Sequence, residues 1–345
     1  MQGTFTDDAL PRRATIREIA AEAGVSTATV SRVLNDSAGV APATRALVQE
    51  AIEQHRFTGR AKRRRAPDVK DVVAVRCPYV LTDYFGLILS GVAQSLRLHG
   101  KRVLFSNENE AGTEPSLPDL LLAELTEGGI LILPPEPPAV LAQLRAGGYP
   151  FVVIDPRSPP PIGVASVSAA HMAGARAATD HLIELGHTRI AVIAGPPEWV
   201  AADGRLAGYR TALAARGQLA PPGYVRSVNE PAVRNGVEAA RALLELANPP
   251  TAIVAFNDKI AIGAIQAAAE RGLGVPEDLS VVGFDALELS QAVMPRLTTV
   301  RQPVQEMARI GVELLVRLME GRDIDTLHVA LATELVLGAS TAPPR

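Results

Sequence analysis

Residues 15–36, TIREIAAEAGVSTATVSRVLND, decide the fold at the start of the chain. Thr15 and Glu18 have the spacing of a capping box, in which the threonine hydroxyl accepts from the first turn and the glutamate reaches back. Gly24 can end this helix because glycine tolerates the left-handed backbone, and Ser26 can cap the next helix. The stretch therefore predicts two short helices joined by a tight turn.

The second helix is predicted over roughly residues 26–34, and a third is predicted to begin near Pro42, since proline is tolerated in a first turn. The predicted core positions are Ile16, Ile19, Ala20 and Ala23 on the first helix, Val30, Val33 and Leu34 on the second, and Leu47, Val48, Ala51 and Ile52 on the third. Two short helices joined by AGVS are typical of a helix-turn-helix, whose second helix reaches base edges in the major groove of DNA. An ordinary three-helix interaction module is the alternative.

Candidate DNA contacts follow from side-chain chemistry. The outer side of the second helix carries Thr27, Ala28, Ser31 and Arg32. Arg32 can bond guanine O6 and N7, a contact that discriminates between bases by ~1–3 kcal/mol. The small Thr27 and Ala28 can read a base by fit or by methyl contact. Side chains suited to phosphate contacts, which orient a protein without specifying sequence, are Thr15, Ser26, Thr29 and Asn35. The alternative for Arg32 is a solvated surface arginine.

Charge and composition are those of a globular protein with a basic start. Of the 345 residues 47% are hydrophobic and 21% charged, which predicts two or three domains with ample core. Residues 1–70 contain 12 basic and 8 acidic residues, whereas the remainder contains 22 basic and 29 acidic residues. Only the N-terminal part is therefore expected to meet a polyanion.

The sequence predicts a protein of the reducing cytoplasm. We find no apolar run long enough for a membrane span and no signal-peptide pattern. Cys77 is the only cysteine, and a small buried hydrophobic role is expected for it. The histidines lack metal spacing, and no phosphate-binding or nucleophile motif occurs, so no metal, cofactor or catalytic residue is predicted.

From residue 72 the pattern changes to short apolar runs that alternate with amphipathic segments. Candidate strands are 72–75, 102–105, 129–133, 151–154, 189–194, 252–256 and 280–284, and candidate helices lie near 84–99, 138–147, 171–186, 203–216, 232–247, 258–272 and 303–320. This alternation predicts an α/β body with parallel sheets covered on both faces, and the number of strands favours two doubly wound subdomains.

The string at 15–36, together with HLIELGHTRIAVIAGPP (181–197), RLAGYRTAL (205–213), AFNDKIAIGA (255–264), VPEDLSVVGFD (275–285) and LTTVRQP (297–303), closely resembles the lactose/galactose repressor (LacI/GalR) family. The resemblance covers nearly the whole chain from Thr15. It implies a homodimer with an N-terminal all-α helix-turn-helix head, and a body like that of the periplasmic sugar-binding proteins. In such a body a small effector lies in a cleft between two subdomains.

On that basis we expect a helix-turn-helix domain at residues 13–57, a hinge at 58–70 and an effector-binding domain at 71–340. The expected N-subdomain comprises about 71–169 and 300–329, and the expected C-subdomain about 170–299 and 330–340. The chain is expected to cross between them near residues 170, 300 and 330. The tail after Glu334 carries no heptads, so a tetramerising coiled coil is not expected.

The hinge departs from the family pattern. Members usually carry Tyr-x-Pro-Asn and then a leucine that wedges into the minor groove. Here Phe57, Gly59, Arg60 and Ala66 stand at those four positions, and alanine is too small to unstack a base step. Our hypothesis is that Arg60, Arg63, Arg64 and Arg65 supply electrostatic minor-groove contacts instead. The alternative is a flexible basic linker that adds only non-specific affinity.

Candidate effector contacts follow the predicted strands. Asp155, Asn257 and Asp285 each come directly after a strand, and Arg205 lies near the start of a helix. The resemblance implies that these positions contact sugars or purines, and that the aromatic pair Tyr84 and Phe85 can stack on a ligand ring. Trp199 lies in a loop that can face the cleft. Capping by Asp258, internal pairing of Arg205 and a loop-anchor role for Trp199 are the structural alternatives.

The sequence is interpreted as that of a dimeric, effector-responsive repressor. It would bind a pseudo-palindromic operator, and a sugar or related polar metabolite would control it from the cleft. At the usual family Asp-Asn stand Ala170 and His171, and Pro231 replaces a residue that is often aromatic. A DNA-binding regulator with a non-functional cleft, a solute-binding protein and, more distantly, a metabolic enzyme are the rival functions.

Overall fold

The computed structural model describes residues 16–34, 40–54, 71–77, 79, 83–107, 125–322 and 324–345. It divides the chain into two compact units, residues 1–68 and 69–345, which we call the head and the body. The predicted contacts Thr15, Asn35, Arg60, Arg63 and Arg64 and the 58–70 hinge lie outside the described residues, as do the side chains of Ala28 and Ser31.

The head contains the three predicted helices, α1 (Ile16–Glu22), α2 (Thr27–Leu34) and α3 (Pro42–Gln54). As predicted, α1 is followed by Gly24 in the left-handed conformation, with a φ of 62°. The Val25 amide donates back to the Ala20 carbonyl at 3.0 Å, a bond typical of a helix end of this kind. The Thr29 amide donates to Ser26 Oγ at 3.1 Å, which confirms Ser26 as the cap of α2.

The core of the head is small and apolar. Its buried side chains are Ile19, Ala20, Val30, Val33, Val48 and Ala51. The prediction that Leu47 belongs to this core is wrong, because Leu47 is 54% exposed. Leu47 lies about 100° around α3 from Val48, at the edge of the apolar face that Val48 and Ala51 define, and the other helices leave it exposed.

Within the described residues, the body contains two six-stranded sheets. The lobe built on the first sheet, the first lobe, contains β1 (Val72–Arg76), α4 (Asp83–Leu98), β2 (Arg102–Ser106), β3 (Gly128–Ile132), α5 (Pro138–Ala146), β4 (Phe151–Ile154), β5 (Ala165–Ala169), α11 (Val304–Met319) and β11 (His328–Leu331). Its strand order is β11-β5-β4-β3-β1-β2, and all neighbours are parallel. Buried side chains of α4 and α11 cover one face, and α5 covers the other.

The second lobe contains α6 (His171–Glu184), β6 (Ile190–Ala194), α7 (Val200–Ala214), β7 (Val225–Ser227), α8 (Val233–Leu244), β8 (Ala252–Ala255), α9 (Asp258–Glu270), β9 (Ser280–Asp285), α10 (Glu288–Ala292), β10 (Thr298–Arg301) and β12 (Glu334–Val336). Its order is β12-β10-β9-β8-β6-β7, with only the β10–β12 pair antiparallel among these neighbours. Helices α6 and α7 cover one face, and α8 and α9 cover the other.

The chain passes between the lobes at three places in the described part of the body. It leaves the first lobe after Ala169, returns after Arg301 and leaves again after Leu331. The apolar alternation did not predict β5, β7 and β10–β12, because these strands are short and several alternate polar with apolar residues. Of the helices in the described ranges, none is both long and apolar enough to cross a membrane.

Candidate functional site

The outer side of the head presents the predicted DNA-contacting helix. Ser26, Thr27 and Arg32 are exposed, and Thr29 is half-buried. The hydroxyls of Ser26 and Thr29 lie 2.9 Å apart. Ser26, which caps α2, is therefore hydrogen-bonded to Thr29, and both residues are candidate phosphate contacts. Arg32 is exposed in the last turn of α2.

The carboxyl ends of the parallel strands of both lobes meet at a cleft. This is where such sheets bind small molecules. Its wall includes all seven predicted effector residues: Tyr84, Phe85, Asp155, Trp199, Arg205, Asn257 and Asp285. The same wall includes residues that sequence reasoning did not select, among them Asp83, Phe256, Asp258, Lys259, Leu287 and Gln302.

Asp155 and Asp285 hold unusual backbone positions. Their φ angles are 54° and 118°, in a region that residues other than glycine seldom adopt. Each lies at the end of a strand, so the left-handed turn directs the carboxylate back over the sheet edge. Such conformations carry strain and concentrate at ligand sites, and here both occur at the cleft.

Asp155 is held by groups from two helices, α4 and α6. It accepts a hydrogen bond of 2.7 Å from the Tyr84 hydroxyl on Oδ2, and His171 Nε2 lies 3.2 Å from its Oδ1. Burial raises the pKa of Asp155, but the hydrogen bonds from His171 and Tyr84 outweigh that effect, so its pKa lies below the ordinary value. Burial and the neighbouring Asp155 raise the pKa of Tyr84. Asp155 is therefore an ionised acceptor at neutral pH.

Arg205 is a buried cation between two rings. Its guanidinium carbon lies 3.7 Å from the Phe284 ring centre and 4.4 Å from that of Phe256. Nη1 donates to the Phe256 carbonyl at 2.5 Å, and Nη2 lies 3.8 Å from Asp285 Oδ1. The side chain is therefore oriented before any ligand contact, and its internal pairing, considered above as an alternative, coexists with a place on the cleft wall.

Two further acids lie on the second-lobe wall. Burial raises the pKa of Asp285 to about 6, although the Arg205 charge and a 2.7 Å hydrogen bond from Gln302 Nε2 lower it. Burial and the charge of Asp285 raise the pKa of Asp258 to about 7, although hydrogen bonds such as that from Thr299 lower it. The site therefore contains carboxyl groups that titrate close to neutral pH.

At the start of α9, the helix is capped by Asn257 and not by Asp258, which the sequence analysis had given as the alternative. Asn257 Oδ1, not Asp258, caps the helix by accepting from the Ile260 amide at 3.0 Å. Asp258 turns inwards, where its carboxylate accepts from Thr299 Oγ1 at 2.5 Å and from the Leu287 amide at 3.3 Å. Asn257 thus keeps its amide nitrogen and one further acceptor position on Oδ1 for a ligand.

The aromatic side of the cleft was only partly predicted. Tyr79 stacks on Phe85 with ring centres 5.0 Å apart and planes at 8°, and its ring centre lies 6.4 Å from that of Trp199, with the planes at 67°. Trp199 also packs edge-on against Phe256 at 6.2 Å. Tyr79 was not selected because it precedes the predicted helix and carries no motif. Phe85, Trp199 and Phe256 line the cleft, and Tyr79 packs against Phe85 and Trp199 without lining it.

The mouth of the cleft joins the two lobes through Arg157. Arg157, which follows β4, donates from Nη2 to Glu198 Oε1 at 2.9 Å, and its carbonyl accepts from the Val200 amide at 2.9 Å. Its guanidinium lies 5.9 Å from the Trp199 ring centre. These contacts link a first-lobe loop to the start of α7 in the second lobe.

Replacing Arg157 with alanine is expected to expose Trp199. An exposed ion pair contributes up to about 1 kcal/mol. Loss of the Arg157–Glu198 pair should therefore lower the ratio of molecules with a closed cleft to molecules with an open cleft by up to about fivefold. Trp199 is the only tryptophan, and quenching of its fluorescence by acrylamide therefore reports the cleft mouth alone. The Arg309→Ala variant, which removes an exposed pair with Glu306 on α11, is the control; equal quenching in both variants would contradict a role for Arg157 at the mouth.

Asp258 is expected to make stability fall as the pH rises towards and through 7. Its pKa in the folded protein, about 7, exceeds its ordinary value of 3.8, so between these values the folded form holds a proton that the unfolded form has lost. This stabilisation is fully present below the ordinary pKa and is lost as the pH rises through 7. Burial lowers the pKa values of His171, His181 and His187, which gives the opposite slope over the range in which the unfolded histidines titrate, up to about pH 7.5.

Wild type and Asp258→Asn share the histidine titrations, so the difference between their free energies of unfolding isolates Asp258. This difference should fall by about 1.4 kcal/mol between about pH 6 and 8. Urea denaturation at several pH values measures it. Asp203→Asn, which removes an exposed acid on α7, should keep a constant difference from the wild type. A constant difference for Asp258→Asn would assign the titration to another group.

Within the described residues, no three His, Cys, Asp or Glu side chains are grouped to hold a metal ion. The fold and the cleft define the class of the body as a two-lobed ligand-binding domain of the periplasmic-binding-protein type, here in a chain that begins with a helix-turn-helix.

Comparison with known proteins agrees with that class. The family model described as bacterial regulatory proteins, lacI family, matches residues 15–59, and the periplasmic binding protein-like domain matches residues 179–341. The transcriptional repressor CytR of Escherichia coli K12 is 32% identical over 330 residues, which cover 95% of this chain and 96% of CytR. The regulator CelR of Thermobifida fusca is 34% identical over 337 residues, 95% of this chain and 98% of CelR.

Solved structures extend the likeness to head and body. The CelR–cellobiose complex superposes with a TM-score of 0.71 at 32% identity, covering 95% of this chain and all of that one. The lac repressor dimer bound to operator and the anti-inducer ONPF gives 0.71 at 28% identity, covering 96% of this chain and all of that one. The chain belongs to the LacI family of bacterial transcriptional regulators. The predicted family and fold class are thereby confirmed.

Proposed function

We propose that this regulator is a dimeric repressor that binds a pseudo-palindromic operator and releases or tightens its hold when a small effector enters the cleft. The solved lac repressor dimer on its operator supports the dimeric arrangement, because two-fold symmetry of the protein calls for two-fold symmetry of its site. The proposal places the protein in the cytoplasm, away from any membrane, and assigns it no catalytic residue or cofactor.

The proposed operator contacts are those of α2 and its flanks. Arg32 would read a guanine, with Thr27, Ala28 and Ser31 beside it, and Thr15, Ser26, Thr29 and Asn35 would hold phosphates. The exposure of Ser26, Thr27 and Arg32 supports this assignment, and so does the cap at Ser26, which gives α2 a defined first turn.

The proposed effector is a neutral, hydroxyl-rich molecule, a sugar or a nucleoside. The observation that carries this proposal is the pair of ionised or titrating carboxyls, Asp155 and Asp285, turned into one cleft beside Arg205. Carboxylates accept from hydroxyls, and an arginine donates to ring or hydroxyl oxygens. The cellobiose bound to CelR supports a sugar.

The charge and the shape of the cleft narrow the class of effector further. Four carboxyl groups, Asp83, Asp155, Asp258 and Asp285, face only Arg205 and Lys259 as cations on the described wall. An anionic ligand such as a sugar phosphate would meet this acidic excess and be repelled. The rings of Phe85 and Trp199 on the cleft wall offer apolar faces against which a pyranose ring or a base can stack.

A two-part experiment tests the proposal. Genomic fragments bound by the purified protein are selected and sequenced, and a pseudo-palindromic consensus is expected. In parallel, thermal unfolding is followed with cellobiose, ribose, galactose and the common ribonucleosides. A true effector at 100 times its dissociation constant should stabilise the protein by about 2.7 kcal/mol, and the same compound should shift operator affinity.

Other outcomes have definite meanings. A consensus operator with no stabilising compound would favour the second candidate, a regulator whose cleft no longer binds an effector. A stabilising compound without any sequence preference in DNA would favour a solute-binding function. Stabilisation by glucose 6-phosphate in place of neutral sugars would contradict the charge argument for the cleft.

For the hinge we propose minor-groove contacts by Arg60, Arg63 and Arg64. Replacing Arg63 and Arg64 with alanine should reduce the dependence of operator affinity on salt by roughly 1–2 units of the log–log slope, since each phosphate contact releases counterions. Fluorescence anisotropy over a range of salt concentrations measures the slope. A slope that stays the same would exclude this contribution.

A further inference from the structure

His171 is a buried residue at the first crossing between the lobes. It is the first residue of α6, directly after the chain leaves β5, and it is 7% exposed. Its Nε2 lies 3.2 Å from Asp155 Oδ1, and its Nδ1 lies 3.5 Å from Arg205 Nη2. One imidazole therefore touches two cleft residues, one from each lobe.

The chemistry of these partners selects one form of the ring. A carboxylate only accepts hydrogen bonds and a guanidinium only donates them. The imidazole must therefore be neutral, with its proton on Nε2 facing Asp155 and the lone pair on Nδ1 facing Arg205. Protonation of Nδ1 would set two donors and two positive charges against each other at 3.5 Å.

The groups around the ring agree with a neutral imidazole. Burial lowers the pKa of His171, the hydrogen bond to Asp155 raises it, and the Arg205 charge lowers it, with a net lowering. The ring of Phe284 on β9 lies 6.1 Å away at 41°. Asp155, which follows β4, and Arg205, on α7, are thus the charged groups that contact the ring.

Close packing of α6 and α7 brings Arg205 to the ring. A Cβ at Gly204 would lie 3.1 Å from the His171 Cβ, and one at Gly208 would lie 2.3 Å from the Met172 carbonyl oxygen. Only glycine at position 208 allows this approach without a backbone shift. The sequence GRLAG at 204–208 therefore serves the contact between His171 and the Arg205 guanidinium.

His171 is the middle member of a polar chain through the cleft. The chain runs from Tyr84 and Asp155 through His171 to Arg205, Asp285 and Gln302. Gln302, its last member, stands at the second crossing. The histidine is the link at which this described chain passes from the first lobe to the second.

We propose that His171 is a positioning residue of the effector cleft, which as a neutral imidazole donates to Asp155 and accepts from Arg205 and so orients the two charges that an effector meets. It does not itself lie on the cleft wall. The inference rests on the proposed function, because it assigns the histidine a part in the same site. Because His171 contacts one residue of each lobe, the proposal also makes effector affinity depend on the relative position of the two lobes.

The first test needs no effector. In the full-length protein labelled with ¹⁵N at histidine, long-range ¹H–¹⁵N spectra show which ring nitrogen carries the proton, and the His171 signal is the one missing in His171→Asn. A proton on Nε2, and a ring that stays neutral to below its ordinary pKa of 6.5, is expected. A proton on Nδ1, or titration at or above the ordinary pKa, would overturn the proposal.

The second test separates the two contacts. The amide of His171→Gln can reach the position of Nε2 and donate to Asp155, whereas that of His171→Asn is too short and keeps only an acceptor near Arg205. Whichever compound of the neutral panel stabilises the wild type is titrated against each variant. Its dissociation constant should rise about tenfold or more in His171→Asn, as for a lost hydrogen bond to a charged group, and Gln should restore most of the affinity.

His187→Asn is the matched control. His187 is 3% exposed and bonds Thr251 and Ser280 in the second lobe without lining the cleft, so this variant should lower Tm but leave the dissociation constant unchanged. Equal loss of affinity in His187→Asn and His171→Asn would make the effect structural and overturn the proposal. Should no panel compound bind, the proposed function fails, while the ring tautomer still decides the role of His171.

Discussion

Replacing Arg205 with methionine is expected to lower the free energy of unfolding by about 3–5 kcal/mol, the cost of removing one partner from a buried ionic cluster. The guanidinium is sandwiched between Phe256 and Phe284 and lies 3.8 Å from Asp285. Methionine keeps the apolar stem but leaves the buried carboxylate without its cation. Urea denaturation at neutral pH measures the difference.

Arg210→Met is the control for this experiment, because Arg210 lies on the same helix, α7, and is exposed. A surface change of this kind should alter stability by less than about 0.5 kcal/mol. The Arg205→Met variant should also lose its response to effector, and its Asp285 pKa should rise because the opposing charge is gone. Similar stability in the two variants would contradict this expectation. It would mean that the cost of desolvating the buried cluster equals the electrostatic gain from its contacts.

Replacing Arg32 with alanine is expected to weaken specific operator binding by about 30-fold or more. Each bidentate guanine contact discriminates by ~1–3 kcal/mol, and a dimer would lose two of them, one in each half-site. Binding to a scrambled duplex should change far less, because that affinity depends on total charge. Fluorescence anisotropy with the selected and the scrambled duplex measures both values.

Arg32→Lys distinguishes base reading from charge. Lysine keeps the positive charge but cannot form the planar fork that bonds two acceptors of one base. It should therefore retain the affinity for scrambled DNA and still lose most of the preference for the operator. If both variants weaken the two duplexes equally, Arg32 contacts phosphates, and base reading must be assigned to other residues of α2.

The head shows how much of a fold local sequence can carry. Gly24 ends α1 and Ser26 caps α2 as predicted, since both effects act within a few residues along the chain. The burial of Leu47 was predicted wrongly, because which side of α3 faces the other helices depends on how the three helices pack. Periodicity indicates an apolar face but sets its limits only to within about one residue.

Part of the cleft wall could be predicted from the sequence, because the carboxyl ends of parallel strands lie at the same edge of a sheet. Asp155, Asn257 and Asp285 follow strands, and the structure brings them to one wall with Arg205. The resemblance to the LacI family implied that these four residues contact a ligand. This role stays a prediction until an effector is found. The aromatic Tyr79 was missed because no strand or motif marks it.

His171, Asp258 and Gln302 show where sequence reasoning ended. His171 was noted only as a departure from the family pattern, and neither Asp258 nor Gln302 was assigned its buried partner. The partners of the three residues are Asp155, Thr299 and Asp285 respectively. These contacts depend on where elements far apart in the sequence end relative to one another, which no local pattern records.

Helix caps, apolar periodicity and the order of strands and helices were thus determined by the chain itself, because each depends on the preferences of neighbouring residues. Tertiary structure alone decided which buried charges meet, and therefore which of them titrate. The free energy of a buried ionised group depends on its distance from partners and from water, and Asp258 becomes half-protonated near neutral pH only because the folded lobe removes water from it and places the charge of Asp285 near it.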